Sequence, residues 1–234
     1  MNKIISMSVW GDNPRYIVGA QRQIELAEKH YPDWSIRLYV DNKFKFHDFR
    51  ETVDIREVKD GSYGMFWRFL PLFESDDNVV LVRDSDSRIT IRESLCIKEW
   101  LDSGKKFHTF RDHDAHYEFP IIGCAFAMVG KLNSALLEIM KPYMTNHQYY
   151  LSDQFYLRDH VYPAVKDNML VHSMRHDGWF SESRKKLKNP FSFCGNGYDE
   201  NDMPLYPDSL DNISNWNPEL CPKEFKFDGG QLFD

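Results

Sequence analysis

The sequence predicts an α/β protein of the Rossmann type: a mostly parallel sheet with helices on both faces, followed by an irregular C-terminal extension. Two observations carry this. The first half alternates short apolar runs with stretches of helical period. From about Gly195 onward Asn, Asp, Pro and Gly dominate, the composition of a tail that wraps a domain and does not form a second one.

Ile4 to Val9 is an apolar run that stops at Trp10-Gly11-Asp12-Asn13-Pro14, a strong turn signal, and reads as the first strand. Ile17, Ala20, Ile24 and Ala27 recur at spacings of three and four, so a helix follows until Pro32-Asp33 breaks it. Ser35 to Val40 is a second strand ending at Asp41-Asn42, and Val53 to Val58 a short third. Met65 to Phe73 reads as helical, with Pro71 bending or ending it. Val79 to Val82 is a buried strand that runs straight into Arg83-Asp84-Ser85-Asp86. Glu93 to Leu101 is a helix with Cys96, Ile97, Trp100 and Leu101 inward, and Phe107 to Phe110 is another strand. The second half is less regular. Cys124 to Val129 and Met169 to Met174 read as strands, Leu132, Leu136, Ile139 and Tyr143 mark a helix, and Ser152 is placed as the cap of a helix beginning Ser152-Asp153-Gln154. In open parallel sheets ligands gather at the carboxyl ends of strands, which places the loops Gly11 to Arg15, Asp41-Asn42 and Arg83 to Asp86 at one crevice.

The 234 residues suit a single domain. A net charge of -7 argues against nucleic acid as partner, since such proteins carry a basic face. Mean hydropathy of -0.57 reflects a charged and amide-rich surface. The four cysteines form no C-x-x-C; Cys96 and Cys124, among apolar neighbours, read as buried thiols. No apolar run approaches the roughly 18 residues that span a bilayer, and the N-terminus reads as a strand and not a signal peptide. The expectation is a cytoplasmic, reduced protein.

The chemistry centres on Asp84-Ser85-Asp86. Two carboxylates two residues apart at a strand end can turn toward one cation and offer the hard oxygen ligands that Mg²⁺ or Mn²⁺ takes. Such an ion can bridge a diphosphate and offset the charge that grows on it as it leaves. The bland alternative is a turn that caps the next helix. A haloacid-dehalogenase-type phosphatase also places Asp-x-Asp after a buried strand, but it follows the second Asp with Thr or Val two residues on; here that position is Arg88, and no downstream acidic pair stands out.

The stretches GMFWRFLPL (64–72), VRDSDSRITIRESLCIKEWLDSGKKFHTFRDHDAH (82–116), SDQFYL (152–157) and NPFSFCGNGYDENDMP (189–204) resemble a family of GT-A-fold sugar transferases of bacteria and large DNA viruses, including the chlorella-virus enzymes that glycosylate capsid protein. The sequence departs from that family where its usual Pro after Arg-Asp-His is Asp114 and its Gly-Gly pair is Gly123-Cys124. The resemblance implies one GT-A-like domain over residues 1–234, with a nucleotide-binding half to about 110 and an acceptor-side half and tail beyond. It implies a nucleotide-sugar donor, a UDP-sugar first, with Mn²⁺ or Mg²⁺, a glycan or glycoprotein acceptor, and a bacterial cell or virus-infected host as setting.

More distantly, the layout is similar to that of retaining enzymes of the glycogenin type. That likeness implies Arg68 as a cation beside the donor phosphate, Asp153 and Gln154 near the reacting face, and His172 as third metal ligand with Asp84 and Asp86; His176-Asp177 is the rival for that place. It also implies retention. An inverting enzyme needs a general base, for which Asp114 or Asp153 stands.

The remaining candidates follow from position, each beside a structural alternative. Ser8, Gly11 and Arg15 lie on the first strand-to-helix connection, where N–H groups meet phosphate or base, although Gly11 also serves the turn. Asp41 ends the second strand, where a carboxylate accepts from a base N–H or ribose hydroxyl. Arg83 and Arg88 flank the triplet and either hold it ionised or contact the diphosphate. Arg111 to His116 is dense in titratable groups and reads as a sugar- or acceptor-binding loop. A module that kept the fold and binds a nucleotide sugar without turnover is the non-enzymatic alternative.

Overall fold

The computed structural model describes residues 1–42, 53–113, 116, 119–146, 149–173, 183–185 and 194–205. Along the chain run β1 (Asn2–Val9), α1 (Pro14–His30), β2 (Ser35–Val40), β3 (Val53–Glu57), a 3₁₀ segment (Gly64–Phe73), β4 (Asn78–Arg83), α2 (Ile91–Ser103), β5 (Phe107–Phe110), β6 (Ala125–Val129), α3 (Ser134–Thr145), α4 (Ser152–Tyr156), a π turn (Leu157–Val161), α5 (Tyr162–Val165), β7 (Met169–His172) and β8 (Ser183–Lys185). The described strands form one sheet in the order β3-β2-β1-β4-β6-β5-β7-β8. β6 is antiparallel to both β4 and β5, and every other pairing is parallel. All strands but β6 therefore run one way, and the carboxyl ends of β1, β2 and β4 share one edge.

Strand alternation divides the core in two. Ile5, Met7 and Val9 of β1, Val79 and Leu81 of β4 and Ala125 and Ala127 of β6 face the layer of α1 and α2, with Ala20, Ile24, Cys96, Ile97 and Trp100. Val80 and Val82 of β4 and Phe126 and Met128 of β6 face the other layer, where Phe66, Phe69 and Leu72 of the 3₁₀ segment meet Leu136, Met140 and Tyr156. Helical layers thus cover both faces, and the α/β architecture expected from the alternation is the one observed.

Local chemistry explains the boundaries. Asn13 caps α1 by accepting from Arg15 N at 3.0 Å, with Pro14 in the first turn, where its missing N–H costs nothing. Thr90 caps α2 through Glu93 N at 3.1 Å, and Gly104, at φ +71°, ends it in the left-handed conformation. The stretch expected to be α-helical from Met65 is a 3₁₀ segment that contains Pro71. Leu132 lies ahead of α3, whose cap is Asn133. Ser152 is not the cap of α4: Leu151 occupies that position at φ +71°, a conformation uncommon for a residue with a Cβ. Cys96, Cys124 and Cys194 are buried free thiols. Among the described residues no helix is long and apolar enough to cross a membrane.

Candidate active site

β4 ends in the acid triplet, and its alternation decides which side chains reach the crevice. Arg83 shares the α1/α2 face with Val79 and Leu81, whereas Asp84 turns to the opposite face, where Arg68 of the 3₁₀ segment meets it. Gln23, fully buried on α1, fixes the turn beyond: its amide nitrogen donates to Asp84 O and Ser87 Oγ, each at 3.0 Å, and its oxygen accepts from Ile89 N at 3.0 Å. Gly19, one turn earlier, lets α1 sit against this backbone. A Cβ there would lie 2.5 Å from Ser85 O, which explains a glycine in a helix interior.

The cleft is lined by Ser8, Trp10, Arg15, Tyr16, Met65, Arg68, Asp84, Ser85, Asp86, Tyr150, Leu151, Asp153 and Gln154. Its volume of about 140 Å³ is below the roughly 300–1,000 Å³ of a whole-ligand pocket, so the described walls enclose less than a whole ligand. Two guanidiniums meet three carboxylates here. Arg68 Nη2 lies 3.0 Å from Asp84 Oδ1 and 2.7 Å from Asp153 Oδ2, and Arg15 Nη2 pairs with Asp86 Oδ2. Burial pushes the Asp153 carboxyl up to about 6; Arg68 opposes this and Asp84 adds to it. Asp86 is also raised, by burial and then by Asp84, against the pull of Arg15. The carboxylates therefore repel one another where burial has already removed their water, an arrangement that a cation would relieve.

The backbone opposite leaves room for this cluster at one residue. A Cβ on Gly123 would lie 2.4 Å from the Gln154 amide, 2.8 Å from Asp153 Oδ2 and 3.2 Å from Arg68 Nη2. Oriented to satisfy both of its ends, the Gln154 amide accepts from Gly123 N at 2.8 Å and donates to Ile121 O at 3.2 Å.

The crevice brings together Ser8, Arg15, Arg68, Asp84, Ser85, Asp86, Asp153 and Gln154, all of which the sequence had placed at the site. Ser8 Oγ is buried there without a protein partner. Gly11, at φ +71°, donates its N–H to Asp41 Oδ2 at 2.8 Å, so these two candidates join the first and second loops to each other.

Others lie elsewhere. Arg83 is fully buried beneath the triplet, with Nη1 2.6 Å from Glu93 Oε2 and Nη2 donating to Ser87 Oγ and Arg88 O, each at 3.0 Å, and does not line the cleft; strand alternation is the reason. Arg88 is also turned inward, donating to Asp86 O at 3.1 Å and Ser87 O at 2.9 Å. Of the 111–116 stretch, Arg111, Asp112 and His116 are committed to the interior: Arg111 donates to Pro120 O, Asp112 forms a two-pronged pair with Arg92, and Asp112 N donates to His116 Nδ1. His172 does not join Asp84 and Asp86. Its Nδ1 lies 2.7 Å from His108 Nε2 and its Nε2 3.0 Å from Glu99 Oε2, so both ring nitrogens are engaged, and β6 and β5 stand between its strand and β4. Asp114, His176 and Asp177 lie outside the described residues.

Several contributors were missed. Trp10 and Tyr16 form a stacked pair on the cleft wall, with centroids 6.4 Å apart. Gln23 and Gly19 hold the triplet from behind, and the glycine inside a helical pattern was a signal for that close approach. Gly123 was noted only through the Gly-Gly pair of the resembled family; its physical reason lies in Asp153 and Arg68, far away in sequence.

No protein-family model matches the sequence, and no curated protein matches it. Solved structures do. A glycosyltransferase involved in the glycosylation of the major capsid of PBCV-1 aligns at 15% identity and a TM-score of 0.44, over 74% of this chain and 82% of that one. An active-site mutant of LgtC aligns at 12% identity and 0.47, over 95% and 98%. The Francisella tularensis 2-C-methyl-D-erythritol 4-phosphate cytidylyltransferase aligns at 8% identity and 0.47, over 92% and 99%. At such identities the likeness is one of overall chain path.

Proposed function

We propose that the protein is a metal-dependent glycosyltransferase that moves a sugar from a nucleotide-sugar donor, a UDP-sugar first, to a hydroxyl of a glycan or glycoprotein acceptor. One observation supports this above the others: Asp84 and Asp86 open on the same cleft as Arg15, Arg68 and Asp153, at the carboxyl edge of a parallel sheet.

The residues fit a hard divalent ion. The Asp84 carboxylate is about a third exposed, at 34%, and Asp86 stands beside it in the cleft wall. Among the described residues no cluster of three or more His, Cys, Asp or Glu could hold a metal by itself. Two carboxylates with the other positions left to water and substrate phosphate is the arrangement Mg²⁺ favours over an all-protein cage. Held there, the ion would offset the charge developing on the departing diphosphate. Arg15 and Arg68 are the chain's own cations for the phosphate oxygens, and a diphosphate competes with the carboxylates for them. Asp153 faces the same space and accepts from sugar or acceptor hydroxyls. Gln154, tied to the 121–123 backbone, fixes where Asp153 stands. The sequence likeness to glycogenin-type enzymes implies retention, although His172, the third ligand of that layout, lies elsewhere.

A thermal-shift screen of nucleotide sugars with and without Mn²⁺ tests the reading. A ligand that binds only the folded state stabilises it by about 2.7 kcal/mol at 100 times its Kd. UDP-sugars should raise the midpoint when Mn²⁺ is present. No response to any nucleotide sugar with Mn²⁺ would sink the proposal.

A further inference from the structure

We propose that Asp202, which does not line the cleft, is a positioning residue for the Asp84–Asp86 pair; this rests on the metal-site reading above. Residues 196–205 form a strap across the back of the triplet. Tyr198 N donates to Asp86 O at 2.8 Å, and Ser87 pairs with Gly197 in an isolated antiparallel bridge. The strap comes so near that a Cβ on Gly197 would lie 3.2 Å from Arg15 Nη2 and 3.5 Å from Asp86 Oδ2.

Arg88 connects strap to triplet. It is 2% exposed, and Nη1 donates to the carbonyls of Asp86 and Ser87. Its other edge points into the strap, where Nε and Nη2 donate to Asp202 Oδ1 at 3.1 and 2.8 Å, and its guanidinium lies 5.1 Å from the centre of the Tyr198 ring. The second oxygen of Asp202 accepts from Arg22 Nε of α1 at 3.1 Å. Asp202 thus ties together three pieces distant in sequence: α1, the segment after the triplet, and the strap. Both donors on Asp86 O come from this assembly, so it fixes the peptide that aims the Asp86 carboxylate. A guanidinium this buried needs its carboxylate partner to keep its orientation. Without it, Arg88 turns and the 86–87 carbonyls are released.

Asp202→Gly removes both acceptor oxygens, whereas Asn would keep one for Arg88. The residue sits at φ +61°, which Gly adopts freely, and the turn is held independently by Asp199 Oδ1, which accepts from Asn201 N and Met203 N at 2.9 and 2.8 Å. The experiment is calorimetric titration of UDP into the protein with and without Mn²⁺. In the wild type Mn²⁺ should tighten UDP roughly tenfold or more, within the range of coupled sites. In Asp202→Gly most of that gain should vanish while metal-free affinity stays within about twofold, as expected when only the coupling is lost. An intact gain, or an equal loss with and without metal, overturns the positioning role. A wild type that binds no UDP, or binds it indifferently to Mn²⁺, sinks the metal-site reading itself and the inference with it. Should Asp202→Gly fail to fold, Arg22→Ala, which removes the exposed half of the clamp, should lose part of the metal-linked gain; a full gain there also overturns the role.

Discussion

One guanidinium nitrogen of Arg68 serves two carboxylates from different elements, Asp84 at the end of β4 and Asp153 at the start of α4, at 3.0 and 2.7 Å. Removing it leaves a nearly buried Asp153 without its cation beside two further acids. Arg68→Ala should therefore destabilise the fold by about 3 kcal/mol, the scale of breaking a buried pair from one side. It should also lower turnover at least roughly 100-fold, as when a preorganised electrostatic stabiliser is lost. Urea unfolding and transfer kinetics below the variant's midpoint separate the two effects.

Asp86→Asn makes the opposite prediction for stability. Burial and Asp84 both disfavour the Asp86 charge, while its partner Arg15 is partly exposed and can be rehydrated. Neutralising it should leave the midpoint unchanged or higher, yet reduce metal-dependent turnover at least roughly 100-fold. Near-normal turnover would remove Asp86 from the metal site.

Gly123→Ala tests the cradle. The Cβ would come within 3.0 Å of Gln154 and Asp153 side-chain atoms, which must move. Those atoms are the ends of flexible side chains, so the fold should survive with a small change in midpoint. Misplacement of Asp153 on the ångström scale should cost about 100-fold in turnover. An active Gly123→Ala would show that the Asp153 position is not critical.

Acid should unfold the protein partly through its buried imidazoles. Burial lowers His116 from 6.5 to about 4, and also lowers His108, with His172 adding to the effect. A depressed folded-state value means that the unfolded chain takes up the proton first. The contribution is complete above 6.5 and is lost as pH falls through about 4, up to roughly 3 kcal/mol for His116. Urea midpoints across that window should fall less steeply in His116→Asn than in the wild type; parallel slopes would contradict the assignment.

The strand and helix order was legible because hydrophobic period reports it locally. So was the position of the triplet, since a buried run ending in acids places them at a sheet edge. The reversal of β6 was not legible, because a short apolar strand carries no mark of its direction. Arg83 could have been read correctly: it continues the alternation of Val79 and Leu81 and so shares their face. The inward turn of Asp112 could not. The density of charge around it gives no sign of that until Arg92 is seen against Asp112, with Cys194 N on the same carboxylate at 3.0 Å. Likewise His172 is committed to His108 and Glu99, neither adjacent in sequence. A side chain's role at a strand end depends on its partners, and those arrive from elsewhere in the chain.

Arg83 and Glu93 sharpen that distinction into a last prediction. They are fully buried with 2.6 Å between them, and Tyr31 OH adds a donor to Glu93 at 3.3 Å. Arg83→Met alone strands the carboxylate and should cost about 3–5 kcal/mol, whereas adding Glu93→Met removes both charges and should recover most of the loss. Arg83 does not line the cleft, but its Nη2 also donates to Ser87 Oγ and Arg88 O, each at 3.0 Å. The double variant should therefore keep its metal-free affinity for UDP, which Arg68→Ala should not, and lose part of the Mn²⁺-linked gain. If the double variant is as stable as expected but has lost UDP even without metal, Arg83 contacts the ligand after all and the reading of β4 alternation is wrong.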